Sequence, residues 1–226
     1  MMLKIDLHVH TWYSDSTGSV DDVLAAARRK GLDGVAVTDH GTLQGAYEAL
    51  AKSRRLIVLV GEEVKTTQGE LLALGIRKKI PKNLLMAEAI ARTHAQGGLA
   101  IIPHPTIPLF SRLREGDLRN LAIDGLEVIS AITPMPRYFL KKNLELAQRL
   151  KTSITAGSDS HSPDTVGDAY AVVNSESRDP GDIVRAVKYG NVLIGGGSSK
   201  TSIKLGVVKG LFTHILLRPF ADSSNH

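Results

Sequence analysis

Short apolar runs alternate with stretches of helical periodicity along most of the chain. The strand-like runs cover residues 3–9, 34–38, 56–60, 71–76, 99–102, 125–129, 152–156 and 170–173. Between them, apolar residues recur at helical spacing. Val20, Val23, Leu24 and Ala27 form one such face, opened by Ser19 as an N-cap with Asp21 and Asp22 behind it and closed by Gly31. Further helices are expected over 43–54, 83–96, 115–121, 136–150 and 180–189, the last with Pro180 near its first position and Gly190 after its end. Alternation of this kind implies parallel strands joined by crossover helices, in an open doubly wound sheet or a closed barrel. Residues 71–76 follow 56–60 with no helical pattern assigned between them and read as an added strand pairing beside it. Residues 198–226 read as an appended strand and helix with a polar tail, packed on a barrel formed by residues 1–197.

The polar residues interrupting this pattern are not scattered. Five pieces, Asp6–Leu7–His8–Val9–His10, Thr38–Asp39–His40, Gly61–Glu62–Glu63, Pro103–His104–Pro105 and Asp159–Ser160–His161, lie just past apolar runs. Period two on a strand puts Asp6, His8 and His10 on one face, with Leu7 and Val9 on the other. Three polar groups on an otherwise apolar strand are costly unless each finds a strong partner, and two imidazoles beside a carboxylate can chelate a cation. Asp6 would then orient a histidine from behind. Two prolines fix the backbone around His104, and Asp159 and His161 repeat the one-face spacing. A satisfied core histidine, a helix cap or a solvated turn would explain each piece alone; their common location argues for one site. A barrel gathers strand C-termini at one mouth, whereas an open sheet strings them in a line, so the barrel is preferred. No glycine-rich phosphate loop follows the first strand, which argues against a nucleotide-binding Rossmann domain.

Composition narrows the chemistry. The 226 residues include no cysteine, so disulfides and thiolate metal sites are excluded, and imidazole and carboxylate are the strong ligands left. The hydrophobic share of 42% with 23% charged residues is that of a soluble globular domain. No apolar run approaches the roughly 18–20 residues that span a bilayer, and Asp6 interrupts any signal-like start, so a cytoplasmic protein without membrane partners is expected. The net charge of +5 favours anionic partners such as phosphate esters or nucleic acid, though the basic residues are spread rather than striped.

The set of motifs from Asp6 to about Gly197 resembles the polymerase and histidinol phosphatase (PHP) family of metal-dependent phosphoesterases. The resemblance implies an α/β fold, a distorted (β/α)7 TIM-like barrel, holding two or three divalent ions (Zn, Mn, Fe or Mg). It implies that His8, His10, Glu63 and Asp159 hold the first ion. Glu63, chosen over Glu62 by family spacing, bridges to a second ion bound by His104, and Asp15, His40 and His161 form the third position. One departure stands out. Several members place a histidine just after the fifth strand where this chain has Ser130, leaving the second ion fewer ligands unless Glu127 compensates or acts from behind. Candidate phosphate clamps are Lys65, Arg112, Lys200 and, first, Arg137, which joins Asp15, His40 and His161 as a candidate catalytic residue. Trp12 and Tyr13 stack on a base or wall the pocket. His94 is ascribed to a helix dipole, while His214 and His226 are left unassigned. The expected activity is hydrolysis of a phosphomonoester, nucleotide or small phosphorylated metabolite, by a metal-activated hydroxide. The rivals are a 5′–3′ exonuclease or phosphodiesterase acting on nucleic-acid ends and a non-catalytic metal-binding module.

Overall fold

Nine strands and six helices build the described part of a computed structural model, which comprises residues 1–107, 112–133 and 135–197. The strand and helix expected at 198–226, with Lys200, His214 and His226, lie outside it. In chain order the elements are β1 (Met2–Val9), α1 (Val20–Arg29), β2 (Gly34–Val37), α2 (Gln44–Lys52), β3 (Ile57–Thr66), β4 (Gly69–Leu74), α3 (Met86–His94), β5 (Leu99–Ile102), α4 (Glu115–Arg119), β6 (Gly125–Ser130), α5 (Pro136–Leu150), β7 (Ser153–Gly157), β8 (Ala169–Asn174), α6 (Pro180–Lys188) and β9 (Val192–Gly196). Ser19 caps α1 as expected: its hydroxyl accepts from Asp22 N–H, and the Asp22 carboxylate accepts from Ser19 N–H in return.

The sheet order is β7-β6-β5-β4-β3-β2-β1-β8-β9. β1, β2 and β3 run parallel, as do β5, β6 and β7. β4 runs antiparallel to both β3 and β5. The added strand is therefore a stave of the barrel, inserted with reversed direction, and β3 continues beside it to Thr66. Glu63 consequently sits within a strand rather than past its end. The chain leaving β7 returns to β1: Asp159 N–H donates to His8 O at 2.8 Å and His10 N–H to Ser160 O at 3.1 Å. These bonds close the mouth of the ring. Gly157 is required there, because a Cβ would lie 2.4 Å from His8 Cβ and 2.8 Å from His8 N. The result is a distorted seven-staved barrel, with β8 and β9 continuing the sheet beyond β1, β8 antiparallel to β1 and β9 antiparallel to β8. Sequence periodicity did not reveal β9.

Three apolar clusters hold this arrangement. Leu3, Ile5, Leu7, Leu59, Leu72, Leu74, Leu99 and Ile101 fill the barrel, and Ile183 and Val187 of α6 plug the end opposite the polar mouth. The other two clusters lie between the sheet and α1–α2 on one side and α3–α5 on the other. In β1 the alternation is broken. The register against β2 shifts between Asp6 and Val9, so a bulge separates Leu7, in the barrel interior, from Val9, which packs with α1 and α2. Asp6, His8 and His10 accordingly do not act as one face.

Candidate metal centre

β1 carries His8, and His10 follows just past its end; both are fully buried. Their Nε2 atoms face each other at 3.0 Å, and each lies 3.2 Å from Glu63 Oε2 on β3 and 3.5 Å from Asp159 Oδ1 beyond β7. His10 Nδ1 turns to the other side, 3.6 Å from Asp15 Oδ1. Asp15 Oδ2 lies 3.5 Å from His40 Nε2 and 3.3 Å from His161 Nε2. Beyond β5, His104 Nε2 is 3.5 Å from Glu63 Oε1 and 3.8 Å from Glu70 Oε2. All eight residues expected from the sequence to bind metal thus converge, in three overlapping groups: His8–His10–Glu63–Asp159, His10–Asp15–His40–His161, and Glu63–Glu70–His104. Glu70 on β4 was not expected. Glu62 points away, its carboxylate accepting Ile80 N–H at 2.9 Å.

The bulge gives Asp6 a role other than orienting an imidazole. Its two oxygens accept the N–H groups of His8, Ser158 and Gly167 and the Ser158 hydroxyl, tying the segment that carries Asp159 and His161 onto β1. Asp39 does the same for the segment before Asp15, accepting Thr11 N–H and hydroxyl, each at 2.7 Å, and the Ser14 hydroxyl at 2.8 Å. Glu127 supports two ligands at once, with Oε1 3.0 Å from His8 Nδ1 and Oε2 accepting His104 N–H at 3.2 Å. Ser130 donates to Asp159 Oδ2 at 3.2 Å. His104 and Asp159 themselves adopt left-handed backbone angles, φ +32° and +54°, conformations unusual outside glycine that recur at functional sites.

Charge in this mouth is strongly coupled. Burial works against protonating His8 and His10, yet nearby carboxylates outweigh it. His8 stands well above the ordinary imidazole value, with Asp159, Glu63 and Glu127 as the cause. His10 is pushed up to about 10, chiefly by bonds to Asp159 and Glu63. His104 reaches about 9 against its own burial, through Glu63. Burial alone would raise Glu63, Asp159 and Asp15, but the surrounding imidazoles hold all three well below the carboxylate range. His40 is lowered, first by burial. Burial, and then the Glu63 charge, raises Glu70 to about 7, while burial lifts Asp6 to about 6. The mouth is a pocket that demands positive charge.

The donors fit divalent cations. Two imidazole nitrogens aimed at one point cannot both donate to each other, and Glu63 Oε1 is buried without a hydrogen bond among the described residues. Nitrogen and oxygen donors without sulfur suit Zn, Mn, Fe or Mg. Other expectations fare unevenly. Arg137, in the first turn of α5, Lys65 and Arg112 are exposed and have no ion pair among the described residues. Trp12 and Tyr13 are exposed, set edge to face, and Tyr13 Oη donates to Glu48. His94 Nε2 lies 2.7 Å from Asp124 Oδ2, so a carboxylate partner, rather than a helix dipole alone, accounts for it. No helix among the described residues is long and apolar enough to cross a membrane.

The same residues lie within the segment matched by the PHP domain family profile, residues 6–165. The chain belongs to the PHP domain family. Members are generally metal-dependent phosphoesterases. An uncharacterised protein of Methanocaldococcus jannaschii, MJ1587, is 40% identical over 143 residues, 57% of this chain and 82% of that protein. A phosphoribosyl 1,2-cyclic phosphate 1,2-diphosphodiesterase of Eggerthella lenta is 33% identical over 99 residues, 40% of this chain and 38% of that enzyme. A two-domain Bacteroides vulgatus protein containing a predicted PHP-like metal-dependent phosphoesterase shares the fold, with a TM-score of 0.75 at 16% identity. The match covers 87% of this chain and 65% of that one.

Proposed function

We propose that this PHP protein hydrolyses a phosphomonoester, a nucleotide or a small phosphorylated metabolite. It would hold two or three divalent ions through His8, His10, Asp15, His40, Glu63, His104, Asp159 and His161. One observation carries the reading: the three donor groups share members, His10 between two and Glu63 between two, so the ion positions adjoin. Bound there, the ions would lower the pKa of water and neutralise phosphoryl oxygens.

The chain's own contribution is the gradient of burial across the mouth. His8 and His10 side chains are fully covered, whereas those of Asp15, His40 and His161 are 37%, 35% and 17% exposed. An incoming ester meets that second group first, so Asp15, His40 and His161 are assigned contact with the reacting phosphoryl. Glu63, Asp159 and the Glu127 support behind them keep the buried imidazoles aimed. Arg137 is assigned the phosphate clamp, a role supported by its exposure and its lack of an ion pair among the described residues.

Hydrolysis of a phosphodiester, including at a nucleic-acid end, is the second reading, favoured by the E. lenta relative. A substrate panel separates the readings: nucleoside monophosphates and sugar phosphates, a cyclic phosphodiester and a 5′-phosphorylated oligonucleotide, each tested after chelation and after metal return. Monoester hydrolysis lost with chelator and restored by metal is expected. His161→Asn should lower kcat by about 100-fold or more with an unchanged melting temperature. Turnover of the oligonucleotide alone, with steep salt dependence, would replace the proposal with the nuclease, and metal-loaded protein inert toward every ester would replace it with a binding module.

A further inference from the structure

We propose that Glu70 is a ligand of the second ion, taking the place that a histidine after the fifth strand would fill, and that this makes the position selective for hard cations. The inference rests on the reading of the mouth as a divalent-metal centre. Ser130 stands where that histidine would be and Glu127 was the residue that could compensate for it; both are committed elsewhere. The Ser130 hydroxyl donates to Asp159 and the two oxygens of Glu127 serve His8 and His104 N–H. Glu70 enters from an unexpected direction. It lies on the reversed stave β4, opposite Lys65 in register, two positions before Leu72 and four before Leu74, both of which point into the barrel. Strand alternation therefore sends Glu70 inward at the mouth.

There its one ion-pair contact within 4 Å among the described residues is His104 Nε2 at 3.8 Å, and its carboxylate makes no hydrogen bond among them. Next to it is the second observation: Glu63 is 2% exposed and its Oε1 has no hydrogen bond among the described residues, whereas its Oε2 faces His8 and His10. Two carboxylates directed at one imidazole in a buried setting carry more negative charge than a single imidazolium balances. One ion among Glu63 Oε1, Glu70 and His104 Nε2 satisfies all three. That donor set has two oxygens to one nitrogen, while the His10–Asp15–His40–His161 group has three imidazoles to one carboxylate. Oxygen-rich sets suit Mn(II) or Mg(II), and imidazole-rich sets suit Zn(II). The inference is that the three positions are unequal, with the second one reserved for the harder ion.

The test is a Mn(II) titration of chelator-stripped full-length protein, with unbound Mn(II) read by electron paramagnetic resonance and bound metal by elemental analysis. Wild type, Glu70→Gln and Glu70→His are compared, with far-UV circular dichroism confirming that each is folded. Wild type should bind one more equivalent of Mn(II) than Glu70→Gln, or bind it at least tenfold tighter. Glu70→His should recover that equivalent, with its preference for Zn(II) over Mn(II) in competition at least tenfold higher than that of wild type. Equal stoichiometry and affinity, within twofold, in wild type and Glu70→Gln would overturn the role of Glu70 while leaving the metal centre standing. Wild type that binds no divalent ion would overturn both.

Discussion

Glu127 shows how much of the centre depends on residues that do not reach its middle. One carboxylate oxygen holds His8 Nδ1 and the other holds the backbone of His104, so two of the three donor groups share a single support. Glu127→Gln keeps the shape but sets an amide where one of these contacts needs an acceptor. Metal affinity should fall about 10- to 100-fold, with little change in melting temperature; an unchanged affinity by isothermal titration would show that His8 needs no such support. The principal ligands were legible in the sequence because histidine beside a carboxylate at the end of an apolar run has few other reasons to recur. Glu70 was not, since a lone glutamate at the start of a strand looks like an ordinary solvated end. Only the reversal of β4 brings its start to the mouth, where alternation turns Glu70 inward. Asp6 was legible as buried, but its partners were not, because the bulge that frees it from the imidazoles leaves no mark in a period-two pattern.

At the scale of elements, the mouth is closed by hydrogen bonds that side chains make possible. Asp6 accepts from Ser158 N–H and Gly167 N–H at 2.8 Å each, and from the Ser158 hydroxyl. In Asp6→Asn an amide NH2 must face one of these donors whichever way it turns, at a cost of about 1–3 kcal/mol, partly offset because burial no longer penalises a charge. The melting temperature should fall by roughly 2–4 °C per kcal/mol lost. A variant as stable as wild type would mean that the burial penalty cancels the bonds. Periodicity located most strands and helices within a few residues, and α5 at its bounds, because each apolar face is set by local spacing. It could not give strand direction. The reversed β4, the extension of β3 to Thr66 and the antiparallel β8 and β9 depend on pairing between segments remote in the chain.

For the whole molecule, the accumulation of carboxylates and imidazoles couples stability to pH and to metal. His10 and His104 are raised from the ordinary imidazole value to about 10 and about 9. The stability they add to the metal-free protein is full below about pH 6.5 and is lost as pH rises through the raised values. Glu70 and Asp6, raised by burial to about 7 and about 6, subtract stability as pH rises through those values and change nothing further above about pH 8. Between about pH 7 and pH 10, therefore, chelated protein should melt at progressively lower temperature. Metal-loaded protein should not follow it, since cations replace the protons and bind more tightly as imidazoles lose them. Parallel pH profiles for the two forms, by differential scanning fluorimetry, would contradict this coupling.

The most direct measurement is anomalous X-ray diffraction from crystals grown with Mn(II) or Zn(II). The account predicts peaks between His8, His10, Glu63 and Asp159, and beside them at the Asp15–His40–His161 and Glu63–Glu70–His104 groups. Well-ordered density for these side chains with no anomalous peak among them, at saturating metal, would contradict it.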